Sequence, residues 1–237
     1  MLDFSRFEYL SFDCYGTLID WERGILGALR PILAAHSRTM SPIALHDEAL
    51  LELYGDLEAS AEQGEFYCYR EVLEQVVQGM GRRLGFSPSQ AEIQSLPASL
   101  PDWQPFPDAV TALRQLKTRY KLAVISNTDD DLFAGTARHL GVAFDHVITA
   151  QQARSYKPSH NNFRLALKRL AVSQDKVLHV AQSLYHDIKP CRELSISSVW
   201  INRRAGKQSA GATKPAVAMP DLEMPDLQSF AALAMRS

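Results

Sequence analysis

The sequence predicts an α/β fold in which a parallel sheet, covered by helices on both faces, is interrupted by an inserted helical bundle. Three observations carry this. An apolar run, Tyr9 to Phe12, stops at a carboxylate and a glycine turn; four helical patterns follow in succession; and from Asp108 onward helical and strand patterns alternate regularly.

The run Tyr9-Leu-Ser-Phe reads as a buried strand. Asp13 then stands at its C-terminal end, where open α/β sheets place their reactive groups. From Asp20 to about Ser95 the pattern is helical: Ile25, Leu26, Leu29, Ile32 and Leu33 share one face, and Leu50, Leu53, Tyr54, Leu57 and Ala61 another. A third helix is expected over Tyr69 to Gly79, and a fourth starts near Ser87-Pro88. The prolines between Leu96 and Pro107 suggest a hinge or return linker. The expected organisation is a core of 1–19 and 104–237, an insertion of 20–95 and a return linker of 96–103.

The alternation then runs helix (Asp108 to Arg119), strand (Leu122 to Ser126), helix (Asp130 to Leu140), strand (His146 to Thr149) and helix (Asn161 to Ala171). Strand (Val177 to Ala181), helix (Asp187 to Leu194) and strand (Ser198 to Asn202) complete it. Such an order builds right-handed crossovers and a parallel sheet. Ala205 to Ala216 reads as a mobile loop and Leu222 to Leu233 as a short closing element.

Composition is that of an ordinary globular chain: 237 residues, 46% hydrophobic, 22% charged, net charge -2. With no Lys/Arg stripe, nucleic acid and membrane surfaces are not expected partners. The partner expected is a small molecule. Three separated cysteines, Cys14, Cys68 and Cys191, make neither a disulfide framework nor a zinc spacing, which suits a cytoplasmic setting. Met1 to Glu8 does not resemble a signal peptide, and no apolar run approaches the ~20 residues of a membrane span.

Four segments concentrate chemistry at predicted strand ends. Phe12-Asp13-Cys14-Tyr15-Gly16-Thr17 offers a carboxylate able to form an ester that water then splits. Val124-Ile-Ser-Asn-Thr128 ends a strand in Ser126 and Asn127. In Ser155-Tyr-Lys-Pro158, the proline holds Lys157 extended and out of the following helix. The fourth segment runs from His179 through Gln182 and Ser183 to Asp187.

Together these segments resemble the haloacid dehalogenase superfamily, specifically its 2-haloacid dehalogenase-like branch, over nearly the whole chain. The resemblance implies a Rossmann-like core with a helical cap, Asp13 as nucleophile, Lys157 steadying it and Asp187 as base. Ser126 and Asn127 would hold a substrate carboxylate, with Tyr15 and Ser183 among the substrate contacts. Tyr15 stands where phosphatase members carry an acid, and Gln182 where they carry a magnesium-binding Asp; neither replacement supplies that chemistry. The resemblance therefore implies no metal and no cofactor. Phe163 stands where the dehalogenases usually have Tyr.

The expected function is metal-independent displacement of a leaving group from C2 of a short carboxylic acid, S-2-haloacid dehalogenase-like, with inversion. The expected partner is a small-molecule carboxylate, with a homodimer left open. Arg23 and Arg70 are the candidates for holding the leaving group, and Trp21, Phe66, Tyr67, Tyr69 and Trp103 for lining the pocket. His179 reads as a core histidine, and His186 either as tuning the neighbouring Asp187 or as a capping or surface residue. Three alternatives stand: ring opening of a strained cyclic imino acid such as azetidine-2-carboxylate, a phosphatase with a reduced metal site, and a non-enzymatic binding protein.

Overall fold

The first strand is a fully buried four-residue run at the centre of the sheet, and the rest of the architecture is arranged about it. The computed structural model describes residues 2–38, 46–207, 209 and 211–236. Residues 39–45 of the expected helical insertion, and 208 and 210 of the expected loop, lie outside the described residues. After β1 (Tyr9–Phe12) come α1 (Trp21–Ala35), α2 (Asp47–Ala61), α3 (Tyr69–Leu84) and α4 (Gln90–Ser99). Then follow α5 (Ala109–Lys117), β2 (Lys121–Ser126), α6 (Asp130–Leu140), β3 (His146–Thr149), α7 (Ala150–Ala153) and α8 (His160–Leu170). The chain closes through β4 (Val177–Ala181), a π-helical turn (Leu184–Ile188), α9 (Lys189–Glu193), β5 (Ser197–Ile201), β6 (Leu222–Met224) and α10 (Leu227–Ala234).

Among the described residues six strands form one parallel sheet in the order β3-β2-β1-β4-β5-β6. Phe12 pairs with Val124 on one side and Val180 on the other. The chain therefore builds outward from β1 in one direction and then crosses to its other flank at β4. That reversal opens a crevice at the C-terminal ends of β1, β2 and β4, where α/β sheets bind ligands.

Successive strand residues point to opposite faces, so the sheet has two apolar layers. Leu10, Phe12, Leu122, Val124, Leu178 and Val180 belong to the layer continuous with the helical bundle. Tyr9, Ala123, Ile125 and Ile148 belong to the other, against Phe163, Ala166 and Leu170 of α8. Both layers exclude water, which explains why the central strands are apolar throughout.

Three expectations need correction. The stretch 96–103 is not an open linker: α4 runs to Ser99 with Pro97 inside it, and a 3₁₀ turn (Leu100–Asp102) continues it. Burial of Ile93, Leu96 and Pro97 offsets the lost backbone donor, and Ser89 with Glu92 caps the helix start. The inward residues of α2 are Leu50, Leu51, Tyr54, Gly55 and Glu58, while Leu53, Leu57 and Ala61 are only half-buried. The helix is rotated because Gly55 lies against the 211–213 segment, where a Cβ would sit 2.4 Å from the Ala212 carbonyl oxygen. Lastly, the closing element is two elements, β6 and α10.

Candidate active site

The crevice at the strand ends is lined by Asp13, Tyr15, Trp21, Ser126, Asn127, Lys157, Gln182, Ser183, His186 and Asp187, with Glu58, Glu62, Tyr69 and Thr213 closing it. Its volume is about 30 Å³, so what it admits as it stands is small.

Asp13 follows β1 directly, its amide donating to the Val180 carbonyl at 3.1 Å. The turn beyond it needs Gly16, which has φ +90° and no room for a Cβ, since Trp21 Nε1 would lie 2.9 Å away. That turn brings Thr17 back so that its hydroxyl donates to Asp13 Oδ2 at 2.7 Å, while Thr17 Oγ1 accepts the Gln182 amide at 2.8 Å. Thr17 thus ties β1 to the loop after β4.

Lys157 enters from the loop before α8 and is 1% exposed. Its ammonium donates to Asp13 Oδ1 at 2.8 Å, the Ile125 carbonyl at 2.8 Å and Asp187 Oδ1 at 2.7 Å. All three donors are used, so the cation is fixed between two carboxylates. Asn127 holds this loop: its Oδ1 accepts the Lys157 amide at 2.7 Å and its Nδ2 donates to the Lys157 carbonyl at 3.1 Å.

Asp187 sits in the π-helical turn, where the Ser183 carbonyl accepts from both the Asp187 and Ile188 amides at 3.2 Å. Such turns are recurrent at functional positions because the extra residue redirects a side chain. Asp187 Oδ1 also meets His179 Nε2 at 2.9 Å, and His179 Nδ1 meets Ser11 Oγ at 2.9 Å. Asp187 Oδ2 is buried without a partner, and so is the hydroxyl of Ser126. Two unpaired polar atoms at one cavity mark where a ligand or water bonds.

Burial raises Asp13 above its ordinary value, the Asp187 charge adding to the rise while Lys157 and Thr17 oppose it. Burial also works against charge on Asp187, but Lys157 and His179 prevail and lower it to about 2. For Lys157 burial is likewise outweighed, by Asp13 and Asp187, and its value is raised. Burial pushes His186 down to about 4, leaving a neutral ring beside Ser183. The arrangement is one fixed cation serving two buried carboxylates whose pKa values are shifted in opposite directions.

The other expected residues fall into place unevenly. Tyr15 lines the cavity with its hydroxyl spent on Thr136 Oγ1 at 2.9 Å. Ser183 caps the π turn, accepting from the His186 amide at 2.9 Å. Asn127 lines the cavity, its amide bonded at both ends to the Lys157 backbone, with a second Nδ2 hydrogen on the side of Glu62. Arg23 is exposed, and Arg70 pairs with Asp131 at 2.7 Å; neither lines the cavity. Of the aromatic set only Trp21 and Tyr69 line it. Trp103 packs edge-on against Tyr15, Phe66 stacks on Tyr156, and Tyr67 is 41% exposed. Phe163 packs edge-on against His179. His186, expected either to tune Asp187 or to be a capping or surface residue, borders the cavity.

Sequence reasoning missed Thr17, Glu58 and Glu62. Thr17 was within reach, two positions after Tyr15 in the same turn. The donor set does not suit a magnesium ion: each of the two carboxylates at the strand ends gives an oxygen to Lys157, and Gln182 adds only a neutral amide.

The (S)-2-haloacid dehalogenase H-109 of Pseudomonas putida is 26% identical over 200 residues, covering 83% of this chain and 86% of that protein. The haloacetate dehalogenase H-2 of Moraxella sp. (strain B) is 24% identical over 201 residues, covering 84% and 87%. The structure of L-2-haloacid dehalogenase from Xanthobacter autotrophicus superposes with a TM-score of 0.79 at 18% identity, covering 97% of this chain and 98% of that one, which shows the shared fold. The sequence profile of haloacid dehalogenase-like hydrolases matches residues 8–194, more than half of the chain, and the chain belongs to that family of hydrolases.

Proposed function

We propose that the chain displaces a leaving group from C2 of a short carboxylic acid through an ester on Asp13, without a metal, in the manner of an S-2-haloacid dehalogenase. The observation that carries this reading is the Asp13–Lys157–Asp187 arrangement, in which one buried ammonium touches both carboxylates at 2.8 and 2.7 Å. Helices α1 to α4 act as the cap over it. The names of the curated relatives support the substrate class.

In the first step an Asp13 carboxylate oxygen attacks C2, the C–O bond forms and the leaving group departs with the C2 bonding pair. Lys157 and Thr17 hold the attacking group in one orientation, which removes most of the rotational cost of the encounter. The unpaired Ser126 hydroxyl donates to the substrate carboxylate. In the second step water attacks Asp13 Cγ and gives a proton to Asp187 Oδ2. The tetrahedral species then collapses, the bond from Cγ to the product oxygen breaks, and that oxygen takes the proton from Asp187 to leave as the hydroxy acid. With the second proton of the water lost to solvent, Asp13 is a carboxylate again. Charge developing on the ester carbonyl oxygen is met by the Lys157 ammonium, already held in place.

Attack in line with the departing bond inverts C2. With the S and R forms of 2-chloropropanoate supplied separately, the S form is expected to release chloride and R-lactate. Retention, or equal use of both forms, would contradict a single displacement on carbon. Ring-opened product from azetidine-2-carboxylate, scored in the same panel, would instead identify nitrogen as the departing atom.

Chelation gives a second expected result. Turnover should persist after dialysis against EDTA and change less than about twofold on adding Mg²⁺, because no step needs a Lewis acid. Loss on chelation with recovery on Mg²⁺ would contradict the metal-free reading.

A further inference from the structure

The cavity holds more carboxyl groups than an anionic substrate alone would favour, two of them, Glu58 and Glu62, on its bundle side. Four carboxyl groups line it, those of Asp13, Glu58, Glu62 and Asp187, against one ammonium, Lys157. No arginine is among the lining residues, and the three donors of Lys157 are committed. Glu58 and Glu62 lie four residues apart on α2 and therefore on one face of it.

Glu58 is held there by design of its surroundings. It is 5% exposed, and its Oε1 accepts the hydroxyls of Tyr54 at 2.8 Å and Tyr69 at 2.5 Å. Tyr69 is fixed in turn by the core, since Asp129 accepts the Tyr69 and Arg70 amides at 2.8 and 2.9 Å at the start of α3. Glu62 faces Asn127, whose Nδ2 donates to its Oε1 at 3.5 Å. Burial raises Glu58 to about 7, and burial together with the charge of Glu58 raises Glu62. Two carboxyl groups so placed are relieved by a cation. Independently, the fully buried and unpartnered Ser126 hydroxyl borders the same cavity, a polar atom awaiting a ligand.

We infer that Glu58 and Glu62 form a subsite for a cationic nitrogen, so that the acid turned over carries an ammonium group close to its reacting carbon. The inference rests on Asp13 as nucleophile and names the substrate class for that site. The ammonium donates charge-assisted hydrogen bonds to the glutamates while the substrate carboxylate faces Ser126. An alkyl group at the same place leaves the glutamates with no counter-charge.

The test compares 2-chloropropanoate with 3-amino-2-chloropropanoate, which differ by one ammonium, in the wild type and in Glu58→Gln and Glu62→Gln. The wild type is expected to favour the amino acid in kcat/KM by about tenfold or more, the worth of one charge-assisted hydrogen bond. Glu62→Gln should lower that ratio by a similar factor, by losing on the amino acid and gaining on the uncharged one, with thermal melting confirming that each variant is folded. A wild-type ratio of one or less, or a ratio moved by neither variant, overturns the subsite. Failure of the nucleophile reading is separable, because β-alanine and propanoate lack a leaving group. If neither chloro acid reacts, calorimetric binding that is tighter for β-alanine and loses this preference in Glu62→Gln supports the subsite, whereas equal binding overturns it.

Discussion

Lys157→Met is expected to cut kcat/KM by at least about a hundredfold, because the variant loses the ammonium that would face the ester oxygen, carried by the one Lys or Arg side chain among the described residues lining the cavity. It should also destabilise the fold by about 3–5 kcal/mol, the usual cost of removing one partner from a buried ion pair. The reason is specific to this site. Asp13 and Asp187 both give Oδ1 to the same ammonium, and without it two buried carboxylates face one another uncompensated. One of them must then take up a proton, and a protonated Asp13 is no nucleophile. Denaturant unfolding and steady-state kinetics on the same preparation check both effects. A variant as stable as the wild type with activity within tenfold would refute the role given to Lys157.

Asp187→Asn should separate the two chemical steps. Asparagine keeps the shape of the side chain but cannot take a proton from water, so Asp13 is still alkylated while the ester persists. The expected result is a burst of about one halide per enzyme followed by turnover slowed about 10²- to 10⁴-fold, the usual contribution of a general base. Intact-protein mass spectrometry should find the added acid on the Asp13 peptide. Steady release without a burst would show that Asp187 acts before or during the first displacement.

Much of the core was legible because its signals are local. Strand runs such as Val177 to Ala181 and His146 to Thr149 are short, apolar and bounded by turn residues, and the structure gives them the same limits. The end of a strand fixes the position of Asp13, and Lys157 lies directly before proline. Both signals lie within a few residues of sequence.

What escaped depends on contacts between distant segments. Glu58 and Glu62 sit on the polar stripe of α2 by periodicity, and only the tyrosines of α2 and α3 make an inward Glu58 tolerable. Asn127 reads as a donor to substrate, and its bonds to the Lys157 backbone appear only once the loop before α8 folds beside it. Arg23 and Arg70 follow aromatic residues, which says nothing about direction, and their helices point them away from the cavity. β6 is three residues at the edge of the sheet, too short for alternation to reveal it.

The central claim is that the product hydroxyl comes from Asp13 and only afterwards from solvent. One turnover in H₂¹⁸O with enzyme in excess measures this directly. The account predicts one ¹⁸O atom in the Asp13 carboxylate, found by mass spectrometry of its peptide, and an unlabelled hydroxy acid. Label in the product with none in Asp13 would mean that water attacks carbon itself, and the ester mechanism would fall.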